Sequence, residues 1–286
     1  MDNTTNLIEQ TIQANIVLHS KMADEYSTCE PHFKPENIYK VEEKIKSLAH
    51  LTNAKKLLDL GCGTGFVINI AKKYVDEIDG VDVTQAMMDK VDLSGPATIR
   101  LHNHDTGTFP VEKNTYDLVT GYSFLHHLYD IEPTLRTAFN ALKEGGALLI
   151  DLDPNYYFWE SINNLSREGD YDPIVKREIE MVTYKDEDIE KNFGVSKEIF
   201  NQAEFGKNIK GGFKEEDLQK MLSDIGFTKI DIFYYWYLGQ ASMLNDSTSG
   251  TKEERIKNAD KMDKILQQSL PLSRNLYKYL GFVAFK

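Results

Sequence analysis

The stretch Leu57-Leu58-Asp59-Leu60-Gly61-Cys62-Gly63-Thr64-Gly65 decides how this chain is read. An apolar run ends at Leu60 and passes into glycines at positions 61, 63 and 65. Glycine lets the backbone turn sharply and leaves no Cβ between the chain and a ligand. From Phe66 to about Tyr74 the apolar spacing becomes helical, so the free N–H groups of a helix start face the turn. Strand, glycine turn and helix predict a site for a nucleotide-like ligand. Spacing narrows that ligand. A dinucleotide fingerprint, Gly-x-Gly-x-x-Gly, needs glycine where Phe66 stands. Here the pattern is Gly-x-Gly-x-Gly, with Asp59 two residues ahead of it.

Outward from this turn, short β runs alternate with helical patterns. Strands are predicted at 56–60, 77–82, 97–102, 116–122 and 146–152, and helices near 65–74, 84–91 and 131–142, the last stopped by Gly145-Gly146. Such alternation predicts an α/β fold with a doubly wound parallel sheet. Helix 214–226, strand 227–236, a helical stretch at 251–269 and a strand at 277–285 complete the series. Ahead of the core, 4–20 and 36–50 have helical spacing, with the Pro31–Pro35 turn between them. The expected organisation is an N-terminal helical lid (1–50), a core (51–153), a cap insertion over the active site (154–212), and a C-terminal part of the core (213–286). That last part includes a helical insertion at about 237–274. Structureless loops as long as these two insertions are uncommon, so both are expected to be helical caps that shape specificity.

Composition restricts partners. With Lys and Arg numbering 33 against 45 Asp and Glu, the formal net charge is −12, which repels phosphate backbones, and basic residues occur only in short pairs. No nucleic acid partner is expected. Met1 to Asn6 is polar, without a basic-then-apolar signal, and no apolar run approaches the roughly 20 residues of a membrane span. A soluble, cytoplasmic protein, monomer or homodimer, is the expectation. Cys29 and Cys62 make neither a disulfide framework nor a metal-ligand set, and Cys29 is expected to be a small buried hydrophobe.

The glycine motif resembles the first motif of the class I S-adenosylmethionine (SAM)-dependent methyltransferases, and three further features in the right order strengthen the likeness. These are Gly80-Val81-Asp82-Val83-Thr84 at the second strand, Leu125-His126-His127-Leu128 after the fourth, and Leu142-Lys143-Glu144-Gly145-Gly146 before the fifth. The resemblance covers about 55–152 closely and 213–236 and 277–286 loosely. It implies a seven-stranded sheet whose last strand is antiparallel, with SAM as cofactor and S-adenosylhomocysteine as product. It further implies that Asp82 binds the ribose hydroxyls, where the alternative is that Asp82 and Thr84 cap the following helix. Val83 and Met87 would pack on the adenine, Asp105 would accept from its amino group, and Asp59 would steady the methionine amino group. Gly61, Cys62, Gly63 and Gly65 of the turn, with Thr106 and Tyr122, complete the expected cofactor set. Tyr26 resembles the aromatic of an N-terminal lid that closes over the methyl donor.

SAM carries its own leaving group, so the protein has to align an acceptor and exclude water. His126 and His127 follow the fourth strand, at the sheet edge where ligands bind, and either imidazole could take a proton from an acceptor. Packing is the plainer role for each. Beyond the fifth strand, Asp153-Pro154-Asn155-Tyr156-Tyr157-Phe158-Trp159 passes from acids to aromatics, and Asp153, Asn155, Tyr156 and Trp159 are the expected substrate contacts. Asp153-Pro154-Asn155-Tyr156 follows the fifth strand, not the fourth, and so differs from the motif of nucleic-acid adenine methyltransferases. No metal is expected, because the fourth strand ends in Gly121-Tyr122-Ser123, without the carboxylate that catechol-type enzymes supply there. The acidic stretch 168–191 reads as a solvated helix face that would favour basic or neutral substrates if it lined the entrance. The expected function is methyl transfer from SAM to an oxygen or nitrogen of a small-molecule acceptor. The alternatives are a protein methyltransferase, and a non-catalytic SAM-binding protein acting through a partner.

Overall fold

The computed structural model describes residues 3–181, 186–246 and 248–286. The side chain of Cys29 and residues 182–185 of the charge-rich stretch lie outside the described residues. Strands β1 (Lys56–Leu60), β2 (Glu77–Asp82), β3 (Thr98–Asn103), β4 (Tyr116–Tyr122), β5 (Leu142–Pro154), β6 (Thr228–Tyr237) and β7 (Tyr277–Phe285) form one sheet. Its order is β3-β2-β1-β4-β5-β7-β6. The β1–β5 ladders are parallel, while β7 runs antiparallel to both β5 and β6. From β1 the chain adds strands outward on one side, then returns to add β4 on the other. This switch opens a crevice at the carboxyl ends of β1 and β4, the place where open α/β sheets bind ligands.

The helices are α1 (Asn3–Met22), α2 (Tyr26–Cys29), α3 (Pro35–Leu51), α4 (Phe66–Ala71), α5 (Gln85–Met88), α6 (Glu132–Ala141) and α7 (Tyr156–Asn163). They continue with α8 (Pro173–Met181), α9 (Asp186–Phe193), α10 (Lys197–Ala203), α11 (Glu215–Ile225), α12 (Gln240–Asn245) and α13 (Lys252–Gln268). The central strands β1 and β4 are buried on both faces almost throughout, with apolar Leu57, Leu58, Leu60, Leu118 and Val119 at their centre. One face packs α6 and α11 through Leu135, Ala138, Leu218 and Leu222. The other packs α3 and α4 through Val41, Ile45, Leu48 and Ile68. In α3 and α11 these residues recur at three- and four-residue steps, one stripe of the helix turned to the sheet.

Three expected boundaries are corrected. Helix 131–142 ends at Ala141, and Leu142 is already extended, with ψ 140°. Gly145-Gly146 therefore does not stop the helix; it lies inside β5, where Tyr116 pairs with Leu142 but Leu118 with Ala147. Three extra residues on β5 need an irregular backbone, and Gly145 supplies it at φ +78°. The helices expected at 65–74 and 84–91 shorten to Phe66–Ala71 and Gln85–Met88, because turns replace their last residues.

The two insertions behave differently. Helices α9 and α10 pack on α1 in one apolar cluster, Ala14 and Leu18 against Ile189, Val195, Phe200 and Ala203, so lid and 154–212 insertion form a single roof. Residues 240–274 cover the β6–β7 end instead: Tyr237 donates to the Ala259 carbonyl, and Leu266 and Leu270 pack on the core. Among the described residues no helix is long and apolar enough to cross a membrane.

Candidate active site

The carboxyl edge of the sheet opens into two adjoining cavities. The first, about 170 Å³, is lined by the glycine turn (Gly61, Gly63), the end of β2 (Asp82, Val83), Met87, and Asp105 and Thr106 after β3, under a stripe of α1. Its walls are fixed by local hydrogen bonds. Asp82 accepts from the backbone N–H of Gly63 (2.9 Å) and of Thr84 (2.8 Å), tying the glycine turn to the end of β2. The Thr84 side chain makes no cap to α5, so Asp82 is a brace between loops more than a helix cap. Burial raises the Asp82 carboxyl, and the two N–H donors work against that rise. Asp105 accepts from the backbone N–H (3.1 Å) and the hydroxyl (2.8 Å) of Thr108. A Cβ on Gly63 would meet only the Met87 side chain, at 3.6 Å, leaving room beside the backbone. Two acids at the ends of adjacent strands, an unobstructed glycine backbone and apolar Val83 and Met87 fit an adenosine-like ligand.

The second cavity, about 330 Å³, lies between the lid, the end of β5 and the cap. His126 and His127 stand on a 3₁₀ turn, Leu125–His127, just beyond β4. Asp153 Oδ1 accepts from the His126 backbone N–H (3.0 Å) and lies 2.8 Å from its Nδ1. A carboxylate only accepts, so Nδ1 carries a proton, which in the neutral ring leaves the lone pair on Nε2. His127 Nδ1 lies 2.9 Å from the Ala203 carbonyl oxygen and donates to it by the same logic. Burial, with His126 and His19 close by, pushes His127 well below the usual imidazole range, so it is neutral at pH 7. Glu204 Oε2 lies 3.8 Å from His126 Nε2 and 3.5 Å from Lys207 Nζ, while its Oε1 lies 3.7 Å from His127 Nδ1. Burial alone would raise Glu204, but Lys207 and the three imidazoles outweigh it and hold the carboxyl at about 2. His126, His127 and Glu204 each offer a donor atom within 4.8 Å of the others.

His19, Tyr26, Ser123 and His127 line both cavities. The Asn15 side chain of α1 donates to the His127 carbonyl (2.8 Å), fixing the lid over this junction.

Residues 58–150 match the family described as a methyltransferase domain. A carboxy-S-adenosyl-L-methionine synthase of Helicobacter hepaticus is 30% identical over 195 residues, which is 62% of this chain and 70% of that protein. The chain belongs to the class I SAM-dependent methyltransferases. That family's cofactor is SAM. A ubiquinone biosynthesis O-methyltransferase of Proteus mirabilis is 26% identical over 195 residues, 60% of this chain and 76% of that protein. The plantazolicin methyltransferase BpumL, solved with S-adenosylhomocysteine, is alike in fold at 13% identity, TM-score 0.53 and 99% coverage of both chains. The chain spans about two fifths of the length of the first curated relatives it matches, 39% and 42%.

Within this methyltransferase fold the sequence-predicted cofactor residues divide. Tyr26, Gly61, Gly63, Asp82, Val83, Met87, Asp105, Thr106 and Tyr122 line the first cavity. Asp59, Cys62 and Gly65 do not. Asp59 is buried behind the turn and accepts from the Thr120 hydroxyl (2.8 Å). Cys62 is buried with its Sγ turned toward Gly80, and Gly65 precedes α4 at φ +83°. Three of the four expected substrate contacts are corrected. Asp153 is fully buried and holds His126. Asn155, also fully buried, caps α7 and donates to the carbonyls of Arg274 and Tyr277. Tyr156 bonds Glu160 and lies under Lys214, outside both cavities. Only Trp159 reaches the second cavity, because a helix starting at Tyr156 turns successive side chains to different faces. Of the aromatic run in β6, Trp236 alone lines it. Among the described residues of 240–274, none lines either cavity, in contrast to the expectation that this insertion shapes specificity.

Glu30, Glu178, Glu204 and Lys207 of the second cavity escape sequence reasoning. They lie in caps without a motif, among many similar charges. The α1 contribution had a signal: Ile8, Thr11, Ile12, Asn15 and His19 recur at three- and four-residue spacing, and all face the first cavity.

Proposed function

We infer that this protein transfers a methyl group from SAM to an oxygen or nitrogen of a small-molecule acceptor in the second cavity. The junction carries this reading: His19, Tyr26, Ser123 and His127 border both cavities, so donor and acceptor meet there. Bound SAM supplies an electrophilic methyl group on a sulfonium that leaves as neutral S-adenosylhomocysteine. Asp82 would take the ribose hydroxyls and Asp105 the adenine amino group, with Val83 and Met87 against the base. Asp59, behind the turn, would act on the methionine amino group through the turn or a water. Tyr26 closes the junction, and the roof of α1, α9 and α10 keeps water from it. An acceptor hydroxyl or ammonium has to release its proton, and His126, His127 and Glu204 are basic groups grouped together in its cavity. A volume of about 330 Å³ is at the lower end for small-molecule sites, which supports a compact acceptor over a polypeptide. The similarity to an O-methyltransferase supports oxygen. We place the protein in the cytoplasm as a monomer or homodimer, with neither nucleic acid nor membrane as partner, on its net charge of −12.

The test is S-adenosylhomocysteine release from SAM with a panel of phenols, carboxylates and amines. Turnover with one class is the expected result. His127→Ala should lower it roughly 100-fold while calorimetric SAM affinity stays within a few-fold. SAM binding without turnover on any acceptor would favour the partner-binding alternative, and absence of SAM binding would overturn both.

A further inference from the structure

We propose that His126, His127 and Glu204 form a binding site for one divalent transition-metal cation in the second cavity. Two imidazoles and one carboxylate are a donor set suited to zinc, iron(II), manganese or cobalt(II), with open positions left for an exogenous ligand. All three side chains line the same cavity and offer donor atoms within 4.8 Å of one another.

The supporting contacts are those that orient imidazole ligands. Asp153 is fully buried and engages His126 Nδ1 at 2.8 Å, which leaves Nε2 as the lone-pair nitrogen on the side of Glu204. The Ala203 carbonyl fixes the ring plane of His127, through the same Nδ1 that faces Glu204. Imidazole ligands held by a carboxylate or a backbone carbonyl have a set tautomer and ring plane, and a raised basicity. The scaffold is rigid as well. A Cβ on Gly206 would come within 2.8 Å of His126 Cα, so the cap segment bearing Glu204 touches the backbone of the histidine turn.

Two ligand atoms on one ion with bonds of about 2.1 Å stand roughly 3 to 3.4 Å apart. The 3.8 Å between Glu204 and His126 Nε2 therefore has to close by less than an ångström, whereas His127, which faces Glu204 at 3.7 Å with its proton-bearing Nδ1, has to give up the Ala203 bond before that nitrogen can ligate. Lys207, 3.5 Å from Glu204, supplies positive charge to that carboxylate now and competes with an ion; its Nζ also lies 5.6 Å over the Trp159 ring, a second resting place. The absence of a carboxylate at the end of β4, the ground for expecting no metal, does not bear on this site, whose acid comes from the cap. The inference rests on reading the second cavity as the acceptor site, where the ion would take an acceptor oxygen as a further ligand.

The full chain, stripped with chelator, is titrated with Co²⁺ alone and with Zn²⁺ alone. One Co²⁺ per chain is expected, with visible ligand-field absorption that Zn²⁺ quenches. His126→Ala and Glu204→Gln should each weaken binding at least 10-fold, and Asp153→Asn by 10- to 100-fold, whereas Lys207→Met should tighten it. In Glu204→Gln, melting temperature and S-adenosylhomocysteine affinity should stay at wild-type values. Glu204→Gln is nearly isosteric, so the question stays open to test even where His126→Ala does not fold. No cobalt binding at millimolar metal, or binding unchanged in both ligand variants, overturns the site. Metal binding without S-adenosylhomocysteine binding would overturn the methyl-transfer reading alone. The converse result would overturn the metal site alone.

Discussion

The two cavities are built by different means. Apart from the α1 stripe, Tyr26, the segment from the end of β4 and the start of α6, the first takes its walls from Gly61, Gly63 and residues of 82–87 and 105–108, and backbone N–H groups within those loops hold its acids. The second gathers residues from 18–32, 123–127, 152–159, 178–207, Trp236 and 278–279, held by packing of lid on cap. Such a difference suits a common cofactor and a particular acceptor. A cofactor shared across a family is served by local geometry that survives changes elsewhere, whereas specificity is served by insertions free to vary.

Five substitutions would break or sharpen this contrast. The largest effect is expected from Asp82→Ala, which removes both the proposed ribose contact and the brace from Gly63 to Thr84. SAM affinity should fall on the order of 100- to 1,000-fold by calorimetry, as two charge-assisted hydrogen bonds are lost. Unchanged affinity would end the ribose assignment.

Next comes Gly61→Ala. Its Cβ would lie 2.1 Å from the Phe124 ring, and Gly61 sits at φ +70°, so we expect a loss of about 3 kcal/mol in denaturant unfolding. Gly63→Ala, with open space at its Cβ, should cost less stability and act mainly on SAM affinity.

Asp59 gives a pH signature. Burial raises its carboxyl from 3.8 to about 7, against the Thr120 hydrogen bond and with help from Asp82. The folded state then binds a proton that the unfolded chain has lost, so this group's contribution favours folding below pH 4 and declines as pH rises to about 7. Asp59→Asn should lack that decline: its stability relative to wild type should increase between pH 5 and pH 8 in urea titrations. A pH-independent difference would contradict the raised carboxyl.

The smallest effect on folding is expected from Trp159→Phe. The indole N–H is buried beside the second cavity and has no partner among the described residues, so its loss should leave the melting temperature nearly unchanged. A raised acceptor KM in this variant would mean that the N–H meets the acceptor, and an unchanged KM that it does not.

Much of the first cavity's lining was legible in the chain. Gly61, Gly63, Asp82, Val83, Met87, Asp105 and Thr106 all reach the first cavity because each follows a strand end by a short, fixed step. Asp59 and Cys62 belong to the same motif yet face inward, since neighbours along a turn do not share a direction. After β5 the reading failed for a related reason. Asp153, Asn155 and Tyr156 were grouped by proximity in sequence, but a buried acid, a helix cap and an outward helical face followed one another. Glu204 could not be found at all, because nothing in Lys197–Ala203 or the residues after it indicates that the segment lies against His126.

By itself the sequence determined the alternation of strands and helices, the glycine turn and the acids at the ends of β2 and β3. Each of these depends on periodicity and on hydrogen bonds a few residues long. Only the tertiary structure decided that α1 and the 154–212 insertion form one roof, and that Glu204 faces two histidines some 77 residues earlier in the chain. Those contacts join segments distant in sequence through apolar packing, which is non-directional and leaves no spacing to read.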